Sequence, residues 1–241
     1  FWEEIPGIDE YLAELRIEFL NFINQNGLLF IGGGNAHQCS SGYPEYCSGH
    51  NAVAAIPEVI AVGGSELVPI GNSFIFNASP GAASFSSIKF PGRHVPDIVG
   101  VYGPIQVPLL NGSFDYSGGT SFATPQIAGM VALLKGVKPA LSQIQAKEIL
   151  MSNSFDITSG VSGDGDTADT SYDLATGYGQ PLATWIIQHK KPLYAGWNLI
   201  GITNDNNYTA ELILRSIIDQ GINCEALSKW DPDLQRYETI V

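Results

Sequence analysis

The segment GGTSFATPQIAGMVALL, residues 118–134, places the strongest constraint on the fold of this chain. From Phe122 to Leu134 its side chains are small and apolar on nearly every side of a helix, a pattern typical of a buried helix. Ser121 stands directly before that run, behind two glycines and Thr120. The free N–H groups and the positive dipole end of a helix start favour negative charge beside it. Ser121 is therefore either the cap of a helix or a nucleophile.

Short apolar runs alternate with helical patterns along most of the chain. Apolar residues at three- and four-residue steps predict an amphipathic helix over residues 8–25. The pattern Ser142-Gln-Ile-Gln145 resembles a capping box and predicts a helix to about Ser152. We expect buried strands at residues 28–31, 57–64 and 96–100. Strands that alternate with helices indicate an α/β fold with a mainly parallel sheet and helices on its faces.

The pattern changes near residue 190, so we expect a first domain over 1–189 and a second module over 190–241. In the module, LYAGWNLIGI reads as a strand and TAELILRSIIDQG as a helix. The last sixteen residues read as two strands joined at Asp231-Pro232. We therefore predict a small α+β or β-rich module, which is short for independent stability and which we expect to be truncated at Val241.

The formal net charge of −13 argues against nucleic acid and anionic membrane surfaces as partners. No run of about 20 apolar residues is present, so we expect no transmembrane segment. The first residues, FWEEIPG, are acidic where a targeting segment would be basic, and we expect the chain to be cut from a longer protein.

The three cysteines of the chain give information on the cellular compartment, because disulfides form in oxidising environments. Cys39 and Cys47 flank a Gly/Pro turn and are predicted to form a local disulfide, with Cys224 free; the alternative is two free buried thiols. A disulfide would suit an extracellular, secreted or cell-surface protein.

Four blocks of the sequence resemble the subtilisin family of serine peptidases, in that family's order. GTSFATPQIAGMVALLK resembles its nucleophile motif, and LLFIGGGN resembles the strand that ends in the oxyanion-hole Asn. PEVIAVGG and SFSSIKFPGRHVPDIVG resemble the blocks between them. The resemblance covers roughly residues 15–185. It implies the C-terminal portion of a subtilisin-like three-layer domain whose N-terminal part is missing.

The resemblance also implies a reaction and its site residues. Ser121 matches the nucleophile of a serine endopeptidase that hydrolyses protein or peptide substrates through an acyl-serine intermediate. Asn35 matches the side-chain donor to the oxyanion. The alternative for Asn35 is a turn residue behind three glycines.

The general base of such a site is absent from this sequence. The family places an Asp and a His upstream of the Asn, but no His precedes Asn35. None of His37, His50, His94 and His189 lies in the family's His-Gly-Thr-His setting, and His37 is expected to be a surface-loop residue. We therefore expect the chain alone to be inactive, with Asp and His supplied upstream in the full-length protein. A catalytically inactive subtilase-fold surface or binding protein is the competing interpretation.

An acidic loop between Phe155 and Asp173 carries five Asp and no basic residue. Carboxylate and carbonyl oxygens are the ligands that calcium prefers. The loop resembles the calcium loop of the sedolisins, which implies a structural calcium held by the carboxylates of Asp156 and Asp173 and the carbonyls of Ile157, Asp169 and Ser171. Sedolisins usually carry Gly at the last two carbonyl positions. A site at Asp164 and Asp166, or a solvated acidic loop, are the alternatives.

The same likeness suggests a second chemistry, that of a sedolisin-like serine-carboxyl peptidase. Sedolisins place Asp at the oxyanion position, whereas this chain has Asn35. The subtilisin mechanism is therefore the first hypothesis.

Overall fold

The part of the chain that the structure describes comprises residues 6–35, 49–71, 73–183, 228–231 and 236–239 of a computed structural model. The helices are α1 (Ile8–Asn24), α2 (Thr120–Val137) and α3 (Gln143–Ser152), with a short 3-10 turn at Ala52–Ala55. The strands are β1 (Phe30–Gly32), β2 (Ile60–Ile70), β3 (Ser73–Ala78), β4 (Phe85–Ser86), β5 (His94–Val95), β6 (Ile98–Val101), β7 (Ile105–Pro108), β8 (Phe114–Ser117), β9 (Ser154–Phe155), β10 (Gln180–Pro181), β11 (Ser228–Asp231) and β12 (Arg236–Thr239).

The sheet beneath the site is built around β2. Its first half lies between β1 and β6 and runs parallel to both, with Phe30 opposite Ile60 and Val62 opposite Ile98. Its second half pairs with β3 in an antiparallel hairpin. The parallel sheet predicted from the apolar runs is confirmed. The antiparallel hairpin was not predicted, and it extends β2 beyond the predicted strand end at residue 64.

Helices cover both faces of this sheet. Successive side chains of a strand point to opposite faces. Ile60 and Val62 accordingly pack with Ile127 of α2, in a cluster that also includes residues of α3. Ala61, between them, packs on the other face with Leu12 of α1. The result is a three-layer α/β arrangement, which confirms the predicted fold class.

The burial of α2 differs from the prediction of a helix buried nearly all round. Its buried side chains form one stripe, namely Thr120, Ala123, Ile127, Val131 and Leu134. Leu133 and Val137 are 63% and 72% exposed in the described part of the chain. The sheet covers only one side of the helix, and this limits the burial to that stripe.

Gln143, the first residue of α3, joins the beginnings of β1 and β2. Its side chain is buried; Oε1 accepts the N–H of Leu29 at 2.9 Å, and Nε2 donates to the carbonyls of Leu29 at 2.9 Å and Glu58 at 3.0 Å. The predicted capping box at Ser142 is present directly before it. The start of α3 is thus tied to two neighbouring strands.

The chain divides into two compact units, Phe1–Lys190 and Lys191–Val241. In the second unit β11 and β12 pair antiparallel, with Trp230 opposite Tyr237, where two strands were predicted. The other elements predicted there, and all three cysteines, lie outside the described residues. Among the helices that the structure describes, none has the length and apolar character needed to span a membrane.

Candidate active site

Ser121 is the second residue of α2 and does not cap it. The cap position is held by Gly119, which has no side chain to pair with the first N–H groups of the helix. Ser121 is exposed, and within the described part of the chain neither its hydroxyl nor its N–H has a hydrogen-bond partner. The helix start therefore leaves one hydroxyl and one backbone donor open.

The turn before Ser121 requires glycine. Gly119 has φ +143° and ψ 158°, a conformation that residues with a Cβ rarely adopt. A Cβ on Gly119 would lie 3.3 Å from Nδ2 of Asn35. The Gly119 N–H donates to the carbonyl of Tyr102 at 2.9 Å, which fixes the turn against the end of β6. The sequence Gly-Gly-Thr-Ser therefore lets Asn35 approach the helix start closely.

Asn35 follows β1 by three residues and is held by Thr120. Its Oδ1 accepts the Thr120 N–H at 2.8 Å and the Thr120 hydroxyl at 3.2 Å. A backbone N–H can only donate, so the amide atom that faces it must be the oxygen. Nδ2 consequently points elsewhere, and no acceptor in the described residues faces it. Asn35 thus keeps one amide donor open.

Ser121 and Asn35 line the same groove, which has a volume of about 820 Å³. The groove is also lined by Leu28, Leu29 and Phe30, at the beginning of β1, and by Thr124, Pro125 and Ala128 of α2. The groove therefore brings together a hydroxyl and two unused donors, the Ser121 N–H and the Asn35 amide. Such donors can stabilise negative charge that develops next to the hydroxyl.

Thr120 is the residue of this site that the sequence reasoning did not identify. It is 2% exposed, and besides its two bonds to Asn35 its Oγ1 accepts the Gly34 N–H at 3.4 Å. The one sequence feature that could have pointed to Thr120 is its position directly before Ser121. The contact itself joins residues 85 positions apart, which no local pattern reveals.

Neither histidine of the described residues lines this groove. His50 bonds through Nε2 to Asp164 Oδ1 at 2.9 Å and stacks on Phe85 at 4.4 Å between ring centroids. His94 Nδ1 lies 2.8 Å from Ser86 Oγ. Gly49 and Asn51 line the groove, but His50 between them does not. His37 and His189 lie outside the described residues.

Comparison with known proteins assigns the family. A protein-family model described as the subtilase family, Peptidase_S8, matches residues 9–179, which is more than half of the chain. The chain belongs to the subtilase family. The four blocks that resemble subtilase motifs all lie within the matched range, and two of them contain Asn35 and Ser121.

Two curated relatives of this subtilase are proteases of greater length. The subtilisin-like protease PopC of Myxococcus xanthus (strain DK1622) is 30% identical over 159 residues, 61% of this chain and 29% of PopC. Fervidolysin of Fervidobacterium pennivorans is 29% identical over 161 residues, 65% of this chain and 22% of fervidolysin. The chain therefore spans less than a third of the length of either relative.

A solved structure shares the subtilase fold. Pseudomonas sedolisin, a serine-carboxyl proteinase complexed with two molecules of pseudo-iodotyrostatin, superposes with a TM-score of 0.58 at 22% identity. The match covers 75% of this chain and 61% of sedolisin. At this identity the similarity bears on the fold.

The acidic loop of this subtilase separates into two parts. In the first, Asp156 accepts the Ser171 N–H at 2.9 Å, and Asp173 accepts the N–H groups of Asp169 at 3.1 Å and Thr176 at 2.8 Å. Burial raises the pKa of Asp156, and the carboxylates of Asp173 and Asp169 add to that rise. Ser171 has φ +69°, the left-handed conformation that glycine adopts freely.

The metal-ligand prediction stays a prediction for this first part. In the described residues, no three side chains of His, Cys, Asp or Glu form a group that could hold a metal ion. The predicted set contains two interacting carboxylates, with carbonyl groups as its other members. The side chain of Ile157 is fully buried and anchors this part of the loop in the core.

The second part of the loop is bonded to the body of the domain. Asp164 bonds to His50, and Asp166 accepts the hydroxyl of Ser84. Both carboxylates of the alternative metal site therefore bond to side chains from other parts of the domain, whereas the hydrogen-bond partners of Asp156 and Asp173 given above lie within 15 positions along the chain.

Proposed function

We propose that the full-length protein is a serine endopeptidase that cleaves proteins or peptides through an acyl-Ser121 intermediate. The observation that carries this proposal is the shared groove, where the Ser121 hydroxyl lies with two open donors, its own N–H and Asn35 Nδ2. A helix start that serves only packing has no need of an exposed serine whose hydroxyl and N–H lack partners in the described residues. Family membership supports the same reaction.

The chemistry follows from these groups. Ser121 Oγ attacks the scissile carbonyl carbon while a base takes its proton. The carbonyl oxygen becomes an oxyanion, which accepts hydrogen bonds from the Ser121 N–H and Asn35 Nδ2. Return of the proton to the leaving nitrogen breaks the C–N bond and leaves the acyl group on Ser121. Water, activated by the same base, then hydrolyses the ester.

Thr120 makes Asn35 effective as a donor. Two hydrogen bonds fix the amide oxygen, so Nδ2 is oriented before substrate binds and little reorganisation accompanies the reaction. The described residues supply no base in the groove. We infer that upstream residues of the full-length protein supply His and Asp, and that the 241-residue chain alone is inactive.

Asn35 favours this mechanism over that of a serine-carboxyl peptidase. An Asp at this position would offer a hydrogen only when protonated, whereas an amide donates at any pH. The open Nδ2 therefore suits a reaction that does not depend on acid.

The test is covalent trapping of the nucleophile. Full-length protein treated with a fluorophosphonate should gain one adduct, which peptide mapping should locate on Ser121, and it should hydrolyse a peptide substrate. The 241-residue chain should remain unlabelled under the same conditions. Labelling at another residue, or an unlabelled and inactive full-length protein, would contradict the proposal and favour the inactive binding protein.

We propose in addition that the first part of the acidic loop binds one structural calcium ion. Two interacting carboxylates, Asp156 and Asp173, and the glycine-like backbone at Ser171 support an oxygen-only donor set of the kind calcium prefers. Millimolar calcium should raise Tm, because an ion that binds only the folded state stabilises it. The double variant Asp156→Ala, Asp173→Ala should lose that shift, and the control Glu148→Gln should keep it. An equal shift in both variants would contradict the site.

We place this activity outside the cytoplasm, as an extracellular, secreted or cell-surface enzyme. The predicted Cys39–Cys47 disulfide supports that location.

A further inference from the structure

The segment that presents Asn35 is held between two flanking stretches of chain. On one flank, the Asn51 N–H donates to the Gly33 carbonyl at 2.9 Å, and His50 forms an isolated antiparallel bridge with Gly34. On the other flank, the Ala83 N–H donates to the Gly34 carbonyl at 3.0 Å, and Asn35 itself bridges to Ala82. The position of Asn35 depends on both flanks.

A single carboxylate connects these two flanks. Asp164 Oδ1 lies 2.9 Å from His50 Nε2 on the first flank, and Asp164 Oδ2 accepts the Ser84 N–H at 2.9 Å on the second. The His50 side chain is only 9% exposed, and that of Asp164 is 32% exposed. The neighbouring Gly163 N–H donates to the Ala82 carbonyl at 2.8 Å, so the loop backbone is fixed at the same place.

We propose that Asp164 is a positioning residue for Asn35, an inference that rests on the proposed function. An oxyanion donor works only when it is held within a fraction of an ångström of its productive position. Hydrogen bonds to an ionised acceptor are stronger than neutral ones, and Asp164 directs its two oxygens to the two flanks. Its removal should leave substrate binding largely intact and weaken the stabilisation of the transition state.

Asp166 provides a matched comparison within the same loop. Its side chain accepts the Ser84 hydroxyl and so reaches the second flank, while the bond to His50 belongs to Asp164. Asp164→Asn and Asp166→Asn each remove one negative charge from the same loop. If position rather than charge matters, Asp164 should be the more sensitive residue.

The kinetic test uses the full-length protein and a peptide substrate. Asp164→Ala should lower kcat by about 10-fold with KM little changed, less than the loss of roughly 10²–10³-fold expected when the donor itself is removed. Asp164→Asn, which keeps an oxygen for the Ser84 N–H, should lose less, and Asp166→Asn less still. In the Asn35→Ala background, Asp164→Ala should have almost no further effect on kcat, because residues that act through one another are not additive.

Amide hydrogen exchange tests the same inference without relying on catalysis. In Asp164→Ala, peptides that cover residues 32–35 and 82–84 should exchange faster than in the wild type, while α1 stays unchanged. Asp164→Asn serves as the readout if the alanine variant fails to fold.

The outcomes separate the two proposals. If the wild-type protein lacks peptidase activity, the proposed function fails, and unchanged exchange at residues 32–35 then overturns the positioning role. In an active enzyme, equal kcat losses in Asp164→Asn and Asp166→Asn, or fully additive effects with Asn35→Ala, overturn it.

Discussion

Ser142 and Ser121 stand at the starts of α3 and α2, but their hydroxyl groups have different surroundings. Ser142 Oγ accepts the Gln145 N–H at 3.3 Å, and Gln145 Oε1 accepts the Ser142 N–H at 3.0 Å. Ser121 lies one residue past the helix start, behind Gly119, and makes neither bond in the described part of the chain. The Ser142 hydroxyl caps α3, whereas the Ser121 hydroxyl has no hydrogen-bond partner in the described part of the chain and does not cap α2.

The difference indicates a stabilising role for Ser142 and fits the chemical role proposed for Ser121. A capping hydroxyl stabilises the fold because it satisfies N–H groups that the helix cannot pair itself. At the start of α2 the Ser121 N–H has no partner in the described residues, and such a group can donate to an anion. Substitutions at the two helix starts should therefore affect different measurements.

The largest effect is expected for Ser121→Ala. In the full-length protein this change should lower kcat by on the order of 10⁶-fold, because the nucleophile is lost and oxyanion stabilisation alone remains. Tm should stay close to the wild-type value, since the hydroxyl has no partner in the described residues. Steady-state hydrolysis of a peptide and a thermal melt measure the two quantities. A variant that kept most of its activity would show that Ser121 is not the nucleophile.

Asn35→Ala should have the next largest effect. Loss of Nδ2 should reduce kcat by roughly 10²–10³-fold with little change in KM, because the donor acts mainly on the transition state. The control is Thr120→Val, which keeps the N–H bond to Asn35 Oδ1 and removes only the hydroxyl. Its loss should be smaller. A rise in KM at constant kcat for Asn35→Ala would instead identify a ground-state binding residue.

Gly119→Ala should impair both activity and stability. The backbone conformation at Gly119 is strained for any residue with a Cβ, a cost on the order of 1–3 kcal/mol. The new methyl group would also press on the Asn35 amide. Gly129→Ala is the matched control within α2, because a Cβ there meets no atom within 4 Å; it should raise Tm. If the two variants melted alike, the turn would tolerate a side chain.

Ser142→Ala should have the smallest effect on catalysis and a clear effect on folding. Loss of the cap should lower the free energy of unfolding by about 1 kcal/mol and leave kcat unchanged. Denaturant titration of the full-length protein provides the first number and peptide hydrolysis the second. A fall in kcat as large as that for Asn35→Ala would remove the distinction between the two helix starts.

Most of the layer arrangement could be predicted from the sequence, and the family resemblance nominated two residues for the candidate site. Helix periodicity located α1, apolar runs located the parallel strands, and the capping box at Ser142 is present as predicted. Ser121 and Asn35 were assigned because their surroundings resemble subtilase motifs, and the structure brings both to one groove.

The remaining features depend on contacts between distant parts of the chain. Thr120 reaches Asn35 across 85 positions, and His50 meets Asp164 across 114. Spacing in a sequence gives no sign of such pairs, and five Asp in one loop look alike until their partners are known. The exposed side of α2 was missed for a related reason, because an apolar stretch reveals its preference for burial but not how much of it the sheet covers.

The side chain of Gln143 sets the strand register at the site. A slip of β1 by one residue along β2 would turn the side chains of β1 to the opposite face of the sheet and shift the segment that leads to Asn35 by about 3.3 Å. Gln143 bonds to Leu29 and Glu58 just before the two strands begin to pair, so a slipped alignment would leave a buried amide without partners. Because Gln143 begins the helix that follows α2, the helical layer that carries the proposed nucleophile also fixes the alignment of the strand that leads to the proposed oxyanion donor.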